Sequence, residues 1–176
     1  IKKLNTPIFM TCTTKFGVEL INNAPKKCPF RWDVVWVKSA TSGFLLSSKM
    51  PLRKHEMVYA FYEKLPFYDL SSHKHKFKQE YNDFDNKDGA YGVIKSQKGH
   101  PEPLYNPSLP TSIIKEEEMS WILKYFSKEG DVVLDPTMGS GSTGVACKNM
   151  NRNFIGIERD EEIYDVAVER IETTDM

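Results

Sequence analysis

The sequence has few cysteines, no long apolar run and no net charge. Three cysteines, Cys12, Cys28 and Cys147, occur in 176 residues. Their spacings make neither a zinc pattern nor a disulfide framework, and they suit a reducing cytoplasm. No apolar stretch approaches the roughly 18 residues that a membrane-spanning helix requires. No charged, apolar and small-residue leader opens the chain, so nothing in it argues for secretion. Low-complexity segments and internal repeats are also lacking. What remains, 40% hydrophobic and 27% charged residues, is the composition of a globular domain of ordinary size. The chain opens on Ile1 rather than Met, and a strand candidate starts within its first seven residues without a cap or turn. A truncated N-terminus is the simplest reading, a processed or trimmed start the alternative.

The balance of 24 basic and 24 acidic residues conceals a gradient. Residues 1–60 carry ten Lys/Arg against three Asp/Glu, residues 61–114 seven of each, and residues 115–176 seven against fourteen. A basic front and an acidic back suit a polyanionic partner for the front; ordinary solvated lysines are the alternative.

Periodicity gives an outline of the elements. Pro7–Thr13 reads as a buried strand. Lys15–Lys26 reads as a helix with Phe16, Leu20 and Ile21 on one side, closed by Pro25 and Pro29. Phe30–Val37 is a β-branched and aromatic strand, Ser39–Lys54 a loop punctuated by Gly43 and Pro51, and Glu56–Tyr62 a third strand. Residues 64–114 then mix tyrosines and phenylalanines with lysines, aspartates, glycines and prolines. Too few aliphatics occur there for a second core, so the segment reads as a long insertion. Beyond it, regularity returns. A helix over Glu116–Ser127 carries Met119, Ile122, Leu123 and Phe126 on one face. Asp131–Leu134 is a strand, Ser142–Met150 a helix and Phe154–Ile157 a strand. Glu161–Glu172 is a helix turning Ile163, Val166, Ala167 and Ile171 inward. Helix and strand in alternation imply an α/β layer with parallel strands.

The densest signal is the run Asp135-Pro136-Thr137-Met138-Gly139-Ser140-Gly141-Ser142-Thr143-Gly144, between a strand and a helix. Glycines serve where backbone must turn tightly and approach a ligand closely. The next strand ends in Gly156-Ile157-Glu158, and a carboxylate at that strand tip can accept both hydroxyl hydrogens of a ribose. A nicotinamide or flavin dinucleotide is one ligand for such a loop, since Gly139, Gly141 and Gly144 fit G-x-G-x-x-G. Asp135 weighs against it, because a strand-tip carboxylate repels a pyrophosphate and attracts an ammonium group. The single helix after Glu158, where a dinucleotide fold would continue with more strands, also weighs against it. A P-loop would need a lysine in the loop, and none is there.

The stretch LDPTMGSGSTGVACKNMNRNFIGIERDEEIYDVAVERI closely resembles the cofactor motif of the beta-class DNA amino-methyltransferases. The front is similar to the same family's short phage and prophage members, which carry an aromatic strand ending Trp-x-Lys, a basic loop, and His-Glu opening a strand. Trp36, Lys38, Lys49, Pro51, Lys54, His55 and Glu56 fit that pattern. The resemblance covers roughly residues 1–65 and 105–173. It implies a Rossmann-like, S-adenosylmethionine-dependent methyltransferase fold of the α/β class, circularly permuted in the beta-class order, incomplete at the N-terminus and carrying a loop-rich insertion. Residues 1–63 would form part of the methyl-acceptor half, 64–114 the target-recognition insertion and 115–176 the cofactor half. Two family features are missing. No Pro-Pro occurs in the chain, so the catalytic Asp/Asn/Ser-Pro-Pro-aromatic tetrapeptide would precede Ile1. The His-Pro-Thr-Gln-Lys-Pro stretch before the cofactor helix is absent too.

The resemblance further implies the chemistry. The target base is flipped from the duplex, and its exocyclic amine, adenine N6 ahead of cytosine N4, takes a methyl group from S-adenosylmethionine without a metal or covalent intermediate. Asp135, Pro136, Thr137, Met138, Gly139, Ser140 and Gly141 would hold the cofactor with Glu158, and Ser142 and Thr143 would do so or cap the helix. Lys38, Lys49, Arg53, Lys54 and His55 would meet DNA phosphates. For His55 a structural role is the alternative. His73, Lys74, His75 and Lys76 read as a solvated basic loop rather than a metal site. The partner would be double-stranded DNA in the cytoplasm of a bacterial or phage-infected cell, with no membrane, no metal and a homodimer allowed. A dinucleotide-binding oxidoreductase fragment and a non-catalytic cofactor-binding remnant are the alternatives.

Overall fold

A computed structural model of the chain describes residues 5–75, 105–115 and 117–174. Two compact units are distinguished, one of residues 1–69 and 111–176 and a smaller one of residues 70–110. The larger unit contains a four-stranded sheet in the order β1 (Ile8–Cys12), β3 (Arg53–Phe61), β2 (Phe30–Ser42), β6 (Ile113–Ile114). β3 is antiparallel to both β1 and β2, and β6 is parallel to β2. A separate parallel pair joins β7 (Val132–Asp135) to β8 (Asn153–Gly156). The front sheet is therefore mixed, and the back pair is parallel, as the alternation of helix and strand there implied.

Helix α1 (Thr14–Asn22) follows β1 and ends before Pro25, four residues short of the expected Lys26. Leu20 and Ile21 pack with Cys12, Phe30 and Met57 against Cys28, Tyr59 and Phe61. Phe16, expected on the inward side, is exposed. β1 is also less buried than its composition predicts, for Ile8 and Met10 lie exposed on one of its faces. β2 runs five residues past the expected Val37, because Ser42 still pairs with Arg53 across a register shift. The expected loop at Ser39–Lys54 thus shrinks to the link between those residues, with a 3-10 turn at Phe44–Leu46.

Helix α2 (Glu118–Phe126) is more buried than a one-faced helix. Glu118, Trp121, Ile122, Leu123 and Tyr125 are all inside. It is capped at Glu117, whose carboxylate accepts from the Met119 and Ser120 amides, the expected stabilisation of exposed helix-start donors. Its start lies by Thr11 near the end of β1, and its last residue Phe126 stacks on Phe9 and Trp32. α2 therefore runs opposite to β1, and a five-residue link joins it to β7. Arg152 closes the far end of α2, its guanidinium donating to the Ser127 hydroxyl and carbonyl and to the Met150 carbonyl. A cation there also complements the helix dipole.

Helix α3 (Ser142–Asn149) bears the buried Ala146 and Cys147, which pack with Leu123, Val133 and Phe154. Helix α4 (Glu161–Glu172) has the expected span, capped by Asp160. Of its expected inward residues Ala167 is fully buried, whereas Ile163 and Val166 are exposed. The smaller unit holds a two-stranded ladder, β4 (Lys74–His75) with β5 (Tyr105–Asn106). His73 is not solvated as the basic-loop reading had it. It is buried, and its Nδ1 donates to the Pro107 carbonyl at 2.9 Å. Lys76 lies outside the described residues.

Candidate cofactor and nucleic-acid site

The glycine run sits at the carboxyl tip of β7, where the chain must leave a strand and enter a helix within six residues. Gly139 and Gly141 take left-handed backbone conformations, φ 53° and 80°, which L side chains disfavour. A Cβ built at Gly139 would meet nothing within 4 Å. The backbone there is open to an approaching group rather than packed under a neighbour.

Two carboxylates frame that opening. Asp135 accepts the Thr137 amide hydrogen at 3.1 Å with Oδ1 and the Thr143 hydroxyl hydrogen at 2.6 Å with Oδ2. Thr143 is therefore not a side-chain cap of α3. It is buried and orients the Asp135 carboxylate. Pro136 follows Asp135 directly and supplies no amide hydrogen to compete for it. From the tip of β8, Glu158 Oε2 accepts the Gly139 amide hydrogen at 3.1 Å, while Oε1 accepts from Arg159 and Asp160. The Asp160 amide foremost, then those of Arg159 and Gly139, hold Glu158 below the usual carboxylate range, against a partial loss of solvent. Glu158 is thus an anion at neutral pH and keeps lone pairs for further donors. Met138 is buried and donates its amide to the Ile157 carbonyl, fastening the loop to the residue that follows β8.

Arg170 is a member of the site that sequence reasoning did not single out. From α4 its guanidinium donates to the Ser140 carbonyl and hydroxyl and to the Ser142 hydroxyl. Ser140 and Ser142 are thereby committed to holding the loop on α4. The signal available in the sequence was its position one turn after the inward Ala167. Cys147, below the loop, is fully buried and its thiol is pushed up to about 11 by burial. It is no nucleophile.

The basic candidates gather elsewhere, with Lys49 on the β2–β3 connection and Arg53, Lys54 and His55 at the start of β3. Lys49, Arg53, Lys54 and His55 are exposed. Lys38 differs from them, for its ammonium lies 2.9 Å from Glu56 Oε1 and 3.2 Å from the Ser42 hydroxyl. It ties β2 to β3 in a neutralised pair. Among the described residues no group of three or more His, Cys, Asp or Glu could hold a metal ion. No helix among them is long and apolar enough to cross a membrane.

Comparison with known proteins matches these features. A family described as DNA methylase matches residues 7–169. The Type II methyltransferase M.HinfI of Haemophilus influenzae is 53% identical over 78 residues, 44% of this chain and 20% of its own length. The Type II methyltransferase M.Cfr9I of Citrobacter freundii is 29% identical over 147 residues, 82% of this chain and 45% of its own length. The chain thus spans less than half the length of these curated relatives. Among solved structures, M1.HpyAVI in its SAM complex superposes with a TM-score of 0.61 at 25% identity, covering 96% of this chain and 74% of that one. The cytosine-N4-specific PvuII DNA methyltransferase gives 0.64 at 12% identity, covering 99% and 66%. The Rossmann-like methyltransferase fold expected from the sequence is the fold of these neighbours.

Proposed function

The chain belongs to the DNA methylase family, and from that premise we propose that it carries the cofactor half and part of the acceptor half of an S-adenosylmethionine-dependent DNA methyltransferase. The acceptor is the exocyclic amine of a flipped base, adenine N6 ahead of cytosine N4, in a restriction-modification or phage DNA-modification setting. The observation that carries this reading is the opening over Gly139 framed by the two strand-tip carboxylates Asp135 and Glu158. Residues 1–63, 64–114 and 115–176 serve as acceptor part, target-recognition insertion and cofactor half.

The residues present fit the cofactor. When bound, S-adenosylmethionine supplies an electrophilic methyl group on a sulfonium. Asp135, steadied by Thr143, offers its carboxylate to the ligand's ammonium group, an attraction that a partly dry site strengthens. Glu158, held ionised by three backbone amides, accepts ribose hydroxyl hydrogens. The amino end of α3 adds unpaired backbone donors. Arg170 keeps the loop from collapsing into the opening by fastening Ser140 and Ser142 to α4. On the acceptor side, Lys49, Arg53, Lys54 and His55 offer positive charge and hydrogen-bond donors to phosphates, which position a duplex without reading its sequence. Lys38 supports them indirectly by joining β2 to β3 through Glu56.

Calorimetry tests the reading. S-adenosylmethionine or S-adenosylhomocysteine should bind, and nicotinamide dinucleotides should not. Asp135→Ala should weaken binding by about tenfold or more, the effect of losing a hydrogen bond to a charged group. Preference for a dinucleotide would overturn it.

A further inference from the structure

The β2–β3 connection ends in an apolar tip on a basic stem. Gly43, at φ 95°, turns the chain out of β2 into the 3-10 turn Phe44–Leu46. Leu45 is 100% exposed and Phe44 67% exposed. Below them the chain returns through Lys49 to Arg53 and Lys54, all exposed. Two large apolar side chains presented to water at the end of a short turn gain nothing from the fold itself. Their flanking charge is of one sign, and the acidic surplus of the chain lies elsewhere, beyond residue 114.

We propose that Phe44 and Leu45 form a wedge that enters the base stack of duplex DNA and fills the space left when the target base leaves it; this rests on the methyltransferase reading above. The chemistry is complementary at both levels. Stacked bases present apolar faces that accept Leu or Phe between them, as in other proteins that kink or open a duplex. The phosphates rimming the stack are anionic and face Lys49, Arg53 and Lys54. Taking a base out of the duplex forfeits its stacking, and a side chain in the vacated space recovers part of that contact. The turn springs from the carboxyl end of β2, at the head of the same connection that brings Lys49 and Arg53 back towards the sheet.

The test uses the full-length protein and the transfer of a labelled methyl group to mixed-sequence duplex DNA and to the same DNA heat-denatured to single strands. In single strands no stack needs opening. The double variant Phe44→Ser/Leu45→Ser should lower the duplex to single-strand rate ratio by about tenfold, with an unchanged or higher melting temperature. Leu45→Met, which keeps an apolar tip, should restore most of the ratio. An unchanged ratio overturns the inference alone. So does a lowered melting temperature with equal loss on both DNAs, which would show the tip packed against another part of the protein. Absence of transfer by the unmutated protein to either DNA overturns the methyltransferase reading and this inference with it.

Discussion

The Thr11 hydroxyl on β1 donates to Glu118 Oε1 at 2.5 Å, tying the first turn of α2 to a strand 107 residues earlier in the chain. Glu118 is 4% exposed. Burial pushes its carboxyl from 4.5 up to about 7; the Thr11 hydrogen bond opposes the shift, and Glu56 and Glu117 add to it. Glu56 is itself paired with Lys38.

A raised acid pKa means that the folded state holds its proton more tightly than the unfolded chain. The stability linked to that proton is complete below about pH 4.5 and is lost as pH rises through about 7. The effect is on the order of 3 kcal/mol, at about 1.4 kcal/mol per pKa unit. Glu118→Gln keeps an acceptor for Thr11 and cannot ionise. Its melting temperature should exceed that of the unmodified chain at pH 8 and should vary less between pH 5 and 8. Parallel thermal melts across that range check this, and an unchanged slope would remove Glu118 as the titrating group.

The back of the fold was more legible than the front. Strand, glycine turn and helix are encoded within a few neighbouring residues, so β7 to α4 appear within two residues of their expected bounds. The antiparallel placing of β3 between β1 and β2 depends on pairings between distant residues, which periodicity cannot report. Exposure was misread for the same reason. Phe16, Ile163 and Val166 have inward spacing, yet what covers a helix face is decided by partners that local sequence does not name. At the site, Asp135 and Glu158 were legible because strand-tip carboxylates follow a spacing rule. Arg170 was not, because its role depends on how α4 lies across the loop.

Gly139 and Gly144 should separate ligand contact from packing. A Cβ at Gly144 would come within 2.3 Å of Ile171 Cδ1 and 2.8 Å of the Phe154 ring, whereas one at Gly139 would meet nothing. Gly144→Ala should therefore cost roughly 1–3 kcal/mol by overpacking, visible as a lower melting temperature. Gly139→Ala should cost roughly 1–2 kcal/mol from its positive φ alone and, unlike Gly144→Ala, should also weaken S-adenosylmethionine in calorimetry by about tenfold. Equal affinity in Gly139→Ala and the unmodified chain would place the ligand elsewhere.

The exposed basic residues predict a salt dependence. If Lys49 and Arg53 neutralise phosphates, log affinity for duplex DNA should fall linearly with log salt, and Lys49→Ala and Arg53→Ala should each reduce the slope by about 1. Lys38→Ala should leave the slope unchanged and lower stability instead, since that ammonium is engaged by Glu56 and Ser42. Titrations at several salt concentrations in the full-length protein distinguish the two classes of lysine. Identical slopes for all three variants would move the DNA-binding face away from the β2–β3 connection.

These 176 residues leave apolar strand surface uncovered. On one face of the β7–β8 pair Val132, Leu134, Ile155 and Ile157 are each more than half exposed. Covering each would stabilise the fold by on the order of 1 kcal/mol. Among the described residues β7 and β8 pair only with each other. The chain also contains no Pro-Pro, the core of the tetrapeptide that would orient the amine and hold the flipped base. We therefore expect the isolated chain to bind S-adenosylmethionine weakly, to melt at low temperature and to transfer no methyl group to DNA. An extended protein that supplies a Pro-Pro-aromatic strand should gain melting temperature and activity together. Labelled methyl transfer to mixed-sequence DNA, measured for both proteins at equal concentration, decides the matter. Equal turnover by the short chain would mean that the groups orienting the amine lie within residues 1–176 and that the acceptor site has to be sought there.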